Sequence, residues 1–150
     1  MFHGKLHHVG IIVPDAVQLQ ELCRICGVTP GRRQYVAEYE ADCVFSEGAG
    51  GAIEFIIPRG GKLAKFNKGF GGLHHIAIEV EDLNAASAAL AADGVRLLET
   101  APVDAGALLI NFLPPVFSRG VIIEYVQAKK QIGAAVSSDV ASEIATGGKP

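Results

Sequence analysis

The apolar positions of this chain predict strands and amphipathic helices in a fixed order. Residues 6–13 are rich in β-branched side chains and lack a helical period, which is typical of a strand. Pro14 and Asp15 interrupt that run, and an apolar stripe at helical spacing follows as far as Gly27. Three apolar runs near 34–38, 42–46 and 52–57 then predict strands. The first half of the chain therefore predicts a βαβββ module.

The second half predicts the same order of elements. A strand at 74–80 is followed by an alanine-rich helix that Glu81 and Asp82 open and Gly94 ends. Further strands are predicted near 96–99, 107–113 and 121–127. We predict an α+β fold with one domain at 1–128, made of two tandem βαβββ modules at about 5–58 and 72–128 and a linker at 59–71. Residues 129–150 are small and polar, which favours a flexible C-terminal tail.

The two halves also share a sequence. The segment LHHVGIIVPD, beginning at Leu6, returns as LHHIAIEVED, beginning at Leu73, with six of ten positions identical. Each copy is later followed by an apolar run that contains one carboxylate, Glu54 in IEFII and Glu124 in VIIEYV. Because the order of elements repeats as well, a duplicated module explains the pattern better than coincidence does.

Alternation along the two repeated strands selects one histidine from each pair. His8 shares a face with Gly10, and His75 shares a face with Ala77, so the small neighbours leave room for a ligand. The first histidine of each pair is expected to face the other side of the sheet. We therefore take the second histidine of each pair as the chemically relevant one.

Four side chains form a candidate metal site: His8, Glu54, His75 and Glu124. A carboxylate flanked by apolar residues is costly to bury unless it is paired or bound to a metal ion, and here this occurs twice at equivalent places. A duplicated fold would bring the four side chains around one point. Two imidazoles and two carboxylates suit a borderline divalent ion such as Co, Mn, Ni, Zn or Fe.

Bulk properties narrow the class of protein. The chain has 150 residues, 49% of them hydrophobic, and a net charge of −3, so nucleic acid and anionic membrane are not expected as main partners. No apolar run approaches the length of a membrane span, and the first residues lack the apolar segment of a signal peptide. Three cysteines, an odd number, argue against a disulfide framework and favour a cytoplasmic location.

These motifs resemble the vicinal oxygen chelate superfamily, which includes glyoxalase I, extradiol dioxygenases and methylmalonyl-CoA epimerases. The LHHVGI, IEF, LHHIAI and IIEY elements carry the resemblance over roughly residues 5–128. Three further stretches are most similar to the epimerases: LAKF before GGLHHIA, GVRLL, and INFLPP followed by RGVIIE.

The resemblance implies a fold, a ligand set and a reaction. It implies a cupped mixed sheet around a metal site, ligands at His8, Glu54, His75 and Glu124, a small-molecule substrate of the acyl-CoA type, and a homodimer. Glu54 stands where epimerases have Gln or Glu. The implied reaction abstracts the proton α to a thioester carbonyl, with Glu124 as base and a metal ion stabilising the enolate.

Two positions depart from the epimerase pattern. Cys43 stands where some epimerases carry a Glu that serves as the second acid, so Cys43 is either a proton donor or a small buried apolar residue. Pro114 replaces a His that usually precedes the Pro.

Other functions within the same superfamily remain alternatives. A glyoxalase I would use Glu54 and Glu124 as bases, although the usual turn before the last glutamate strand is absent. An extradiol dioxygenase needs two His, one carboxylate and open positions for dioxygen. A non-catalytic binding protein of the superfamily often lacks the metal ligands.

Four basic residues precede the second histidine strand: Arg59, Lys62, Lys65 and Lys68. They form either a contact for the phosphates of coenzyme A or a solvated helical face.

Overall fold

A computed structural model describes residues 2–48 and 52–130 of the chain. The elements are β1 (Lys5–Ile12), α1 (Ala16–Cys26), β2 (Thr29–Val36), β3 (Ala41–Glu47), β4 (Ala52–Pro58), β5 (Gly72–Glu79), α2 (Leu83–Ala92), β6 (Val103–Ala105), β7 (Leu108–Leu113) and β8 (Ile123–Ala128). The predicted α+β fold of two βαβββ modules is confirmed. Of the predicted tail, residues 131–150 lie outside the described part of the chain.

All eight strands form one cupped sheet in the order β2-β3-β4-β1-β5-β8-β7-β6. Within each module the first strand pairs in parallel with the last, β1 with β4 and β5 with β8. The modules meet where β1 and β5 pair antiparallel at the centre of the sheet. An antiparallel pair of equivalent strands relates the two modules by an approximate two-fold axis that passes through this seam.

Both helices begin where the sequence predicts. Asp15 caps α1 by accepting hydrogen bonds from the backbone N–H groups of Val17 and Gln18, each at 2.9 Å, and Asp82 caps α2 by accepting one from Ala85 at 2.9 Å. Gly27 ends α1 with φ 67°, a left-handed conformation that favours glycine. No helix in the described ranges is long and apolar enough to cross a membrane.

The helices cover one face of the sheet and leave the other face for the site. Leu19 and Cys23 of α1 pack on Phe55 of β4, and Leu83 of α2 packs on Tyr125 of β8. Side chains alternate along a strand, so the residue before each of these aromatic residues faces the concave side. Those two residues are the predicted ligands Glu54 and Glu124.

One strand prediction is wrong. Residues 96–99 do not form a strand, and the short edge strand β6 lies a few residues later. Leu98 donates one backbone hydrogen bond to Phe112 at 2.8 Å, and the side-chain amide of Asn111 satisfies both backbone groups of Glu99. The segment thus follows β7 with a side chain replacing the backbone ladder, and Pro102, which lacks an N–H, separates it from β6.

Candidate metal centre

The sheet brings the four predicted ligands together through two rows of neighbouring residues. Each row runs across three adjacent strands and places a small residue between a Glu and a His. The rows are Glu54–Gly10–His75 and His8–Ala77–Glu124. Because the middle residue is small, the flanking side chains can lean over it and meet above the seam between β1 and β5.

Gly10 is required by the way His75 lies across it. A Cβ atom at this position would overlap the imidazole ring of His75, with Cε1 nearest. The small neighbours were expected to leave room above the sheet for a ligand, but the imidazole of the other module occupies the space above Gly10. Ala77 holds the equivalent place in the second row and is fully buried.

The ligand atoms converge to within contact distance. Nε2 of His8 lies 3.1 Å from Nε2 of His75 and 3.1 Å from Oε2 of Glu124. Nε2 of His75 lies 3.3 Å from that same oxygen, and Oε2 of Glu54 lies 3.4 and 3.5 Å from the two nitrogens. All four side chains are buried, and their ligand atoms all lie within 4.8 Å of one another.

These separations fit a divalent ion. Metal–nitrogen and metal–oxygen bonds of about 2.1 Å place neighbouring ligand atoms roughly 3.0 Å apart in octahedral geometry and roughly 3.4 Å apart in tetrahedral geometry. The observed 3.1 to 3.5 Å fall in that range. Two carboxylates and two imidazoles supply the mixed oxygen and nitrogen donors that borderline first-row ions prefer.

The charges of the cluster are strongly coupled. Burial by itself would lower the pKa of His8, but hydrogen bonds with Glu124 and Glu54 and their negative charge raise it to about 9. Burial alone would raise the pKa of Glu124, but the adjacent imidazoles of His75 and His8 lower it to about 2. Glu124 is therefore ionised at neutral pH, as both a metal ligand and a base must be.

The first histidine of each pair does not face away from the site, contrary to the alternation rule. Nδ1 of His7 lies 2.7 Å from Nδ1 of His8, and Nδ1 of His74 lies 3.0 Å from Nδ1 of His75. The pairing of β1 with β5 shifts register between Leu6 and His8, and such bulges re-aim side chains.

Two phenylalanines complete the surroundings of the ligands, and the sequence analysis missed both. Phe45 lies opposite Glu54 in the sheet and meets His8 edge-on at 5.1 Å between ring centroids. Phe112 lies opposite Glu124 and meets His75 edge-on at 5.5 Å. Extending the internal repeat to the third strand of each module would have shown that this aromatic position is duplicated.

The cluster lies in the wall of a cavity of about 770 Å³. Cys43 lines the same cavity, and burial followed by the nearby charge of Glu54 raises the pKa of its thiol far above the ordinary range. Cys43 is therefore protonated at neutral pH. His74, but not His7, is also part of this wall.

Two positively charged side chains line the cavity. Arg32 on β2, which the sequence analysis missed, and Lys62 of the predicted basic group both line the cavity. Arg59 instead donates hydrogen bonds to Asp42 at 2.7 and 3.0 Å and lies 4.4 Å from the ring of Tyr35. Of the four predicted basic residues, Lys62 thus lines the cavity and Arg59 forms a separate ion pair, while Lys65 and Lys68 do neither.

Comparison with known proteins agrees with this geometry. Residues 7–112 match the glyoxalase/bleomycin resistance protein/dioxygenase superfamily, another description of the vicinal oxygen chelate proteins. The mitochondrial methylmalonyl-CoA epimerase of Bos taurus is 31% identical over 132 residues, covering 83% of this chain and 75% of that protein. The ethylmalonyl-CoA/methylmalonyl-CoA epimerase of Cereibacter sphaeroides is 32% identical over 131 residues, covering 83% of this chain and 98% of that protein.

A solved structure gives the same result for the fold. The crystal structure of methylmalonyl-CoA epimerase from Mycobacterium tuberculosis superposes with a TM-score of 0.76 and 28% sequence identity. The superposition covers 85% of this chain and 89% of that one. The matched sequence, the fold and the duplicated ligand strands lead to one conclusion: this chain belongs to the glyoxalase/bleomycin resistance protein/dioxygenase superfamily.

Proposed function

We propose that this protein is a metal-dependent epimerase of methylmalonyl-CoA or a closely related acyl-CoA thioester. The observation that carries the proposal is the buried His₂Glu₂ cluster in the wall of a 770 Å³ cavity. The similarity to epimerases of ethylmalonyl-CoA and methylmalonyl-CoA supports this substrate class.

His8, Glu54, His75 and Glu124 are the proposed ligands of the ion. A bound divalent ion would act as a Lewis acid that stabilises negative charge developing on the thioester oxygen of the substrate. The chain itself has to hold the substrate, keep water out and move a proton between the α-carbon and a side chain.

Glu124 is the proposed base. Its carboxylate is ionised at neutral pH, and it lies in the wall of the cavity in which the substrate would bind. A base positioned in this way contributes roughly 10²–10⁴-fold to the rate. Glu54 is the equivalent carboxylate of the first module and is proposed mainly as a ligand.

Cys43 is the proposed proton donor on the opposite face of the substrate. It lies on β3 and Glu124 on β8, and three strands separate these two in the sheet. Because its thiol is protonated at neutral pH, Cys43 can donate a proton to the α-carbon, which leaves a thiolate and a protonated Glu124 until both groups exchange protons with solvent. By microscopic reversibility, epimerisation in the opposite direction uses the same two groups with their roles exchanged.

The cavity also offers contacts for the rest of an acyl-CoA. Arg32 and Lys62 are exposed cations in its wall, and such side chains are suited to the phosphates of coenzyme A.

We further propose that the protein is a cytoplasmic homodimer. Light scattering coupled to gel filtration would test the dimer.

The decisive experiment measures exchange of the α-proton. The protein is loaded with Co²⁺ or Mn²⁺ and mixed in catalytic amount with (2R,2S)-methylmalonyl-CoA in D₂O, and the C2 proton is followed by NMR after a chelator quench. We expect the signal to disappear faster than with the metal salt alone. Controls are chelator-treated protein and Glu124→Gln, both of which should lose the exchange.

Absence of exchange from protein that demonstrably holds the metal would overturn the proposed substrate class. Turnover of a glutathione hemithioacetal by the same preparation would then identify a glyoxalase. Consumption of dioxygen with a catechol would identify a dioxygenase.

A further inference from the structure

We propose that His7 and His74 are positioning residues that hold the two ligand imidazoles in the tautomer that metal binding requires. This inference rests on the metal site of the proposed function, and it assigns a role to two residues that lie outside the ligand set. Their place in the structure is the opposite of what strand alternation predicts.

The number of protons on each imidazole pair fixes the tautomers of its two rings. A neutral imidazole has one protonated nitrogen and one nitrogen with a free lone pair. Nε2 of His8 and Nε2 of His75 point into the cluster, 3.1 Å apart, so each must offer its lone pair to the ion. The proton of each ligand ring is then on Nδ1.

Both Nδ1 atoms face another imidazole at hydrogen-bond distance. The separations are 2.7 Å from His8 to His7 and 3.0 Å from His75 to His74. Two nitrogens this close need one proton between them, so the first histidine of each pair accepts at its own Nδ1 and carries its proton on Nε2. This arrangement satisfies the ligand tautomer in both modules at once.

Burial and packing favour an uncharged acceptor. His7 and His74 are both partly buried, and removing an imidazole from water disfavours its charged form. Phe45 meets the rings of both histidines in the first pair, at 6.3 and 5.1 Å, and so limits their rotation.

The second pair is held in the same way and more tightly. Phe112 meets His74 at 6.2 Å and His75 at 5.5 Å. Phe66, from the segment before β5, adds a third edge-on contact to His74 at 5.0 Å. The same device therefore occurs at equivalent places of two modules whose loops differ, which favours a role in the shared metal centre over a role in local packing.

Groups that hydrogen-bond to a metal-ligating histidine and so fix its tautomer typically contribute 10- to 100-fold to metal affinity. The test uses substitutions that separate hydrogen bonding from shape. Asparagine keeps an acceptor oxygen close to the place of Nδ1, and leucine has a similar size but no acceptor. We expect His7→Leu and His74→Leu each to weaken Zn²⁺ or Co²⁺ affinity 10- to 100-fold in a chelator competition, and the Asn variants to stay within about 3-fold of wild type.

A second measurement needs no substitution. In the Zn²⁺-loaded wild-type protein with ¹⁵N-labelled histidine, we expect long-range ¹H–¹⁵N spectra to show protons on Nδ1 of His8 and His75, and on Nε2 of His7 and His74. The Nδ1-protonated tautomer at His7 and His74 would overturn the inference, even if every Leu variant failed to fold.

The outcomes distinguish this inference from the proposed function. Equal affinities of wild type, Leu and Asn variants would refute the positioning role and leave the metal site intact. Equal losses in the Leu and Asn variants would also refute it, since shape rather than hydrogen bonding would then matter. A wild-type protein that binds no metal ion would instead refute the proposed function itself.

Discussion

The two modules of this protein supply the same parts to the metal centre and different parts to the cavity. Each contributes a histidine pair, one glutamate and one phenylalanine that lies opposite that glutamate in the sheet. The cavity wall is less symmetric. Arg32 and Cys43 line it, and both belong to the first module. Of His7 and His74, the first histidines of the two pairs, only His74 is part of the wall.

Metal binding and substrate handling therefore depend on different parts of the molecule. The ion requires a closed, duplicated set of ligands, and the seam between equivalent strands provides it. Epimerisation treats the two faces of one carbon atom differently, and residues that occur in only one module can make that distinction. We infer that the metal centre preserves the symmetry of the duplication, and that substrate handling depends on where the symmetry fails.

The largest effect is expected from a matched change at the two glutamates. Glu124→Gln should lower α-proton exchange by about 10²–10⁴-fold because it removes the proposed base. Glu54→Gln should lower it much less, since the resemblance to epimerases implies that Gln can serve at this position. NMR in D₂O on metal-loaded proteins measures both rates, with metal content as the control. Equal losses would mean that both carboxylates act as bases.

The two small residues of the rows provide the next test. Gly10→Ala should displace the His75 ring, because the new methyl group would overlap it, and should weaken metal affinity at least 10-fold. The control Ala77→Gly should retain the metal and lower the free energy of unfolding by only about 1 kcal/mol. Chelator competition and urea unfolding measure the two quantities. Unchanged affinity in Gly10→Ala would contradict the close approach of His75.

A smaller effect should distinguish His7 from His74, the first histidines of the two pairs. Asn is expected to preserve the acceptor in both places, so His7→Asn and His74→Asn should bind metal alike. Only His74 lines the cavity, and the loss of its ring there is worth about 1 kcal/mol of contact, or roughly fivefold in KM. Steady-state kinetics with methylmalonyl-CoA would check this difference. A rise in KM for His7→Asn would show that the wall extends further into the first module.

The smallest effect concerns one buried polar residue in each module, Asp42 in the first and Asn111 in the second. Hydrogen bonds from Arg59 hold the pKa of Asp42 below its ordinary value of 3.8, so this ion pair stabilises the fold above pH 4 and its contribution is lost as pH falls through the lowered pKa. We expect the contribution to be small, because the Arg59 side chain is 56% exposed and solvent screens the pair. Acid unfolding of the metal-free protein, compared with Asp42→Asn, measures it.

Asn111 of the second module carries no charge, so Asn111→Ala should destabilise the fold equally from pH 3 to pH 7.

Repetition made most of the fold and the ligand set predictable from the sequence. The order of elements, the helix caps Asp15 and Asp82, and the meeting of His8 with His75 follow from a duplicated strand pattern. These features depend on local propensities and on a two-fold relation that the repeat itself displays.

The features that escaped prediction arise from long-range pairing. Side-chain alternation assigned His7 and His74 to the far face, and the register shift between β1 and β5 that brings His7 near His8 leaves no mark in the local sequence. The strand expected at 96–99 failed because the side chain of Asn111, distant in sequence, took the place of a backbone partner. Arg32 lacked a signal because its role depends on how the cup closes.

The seam between β1 and β5 has a consequence for the stability of the whole molecule. Each half of the sheet contributes one His and one Glu to the cluster, so a bound ion would tie two halves that are continuous in sequence only through the linker. An ion that binds the native fold alone adds its binding free energy to the free energy of unfolding. The metal supply of the cell would then set how long this protein survives proteolysis, and not only how fast it works.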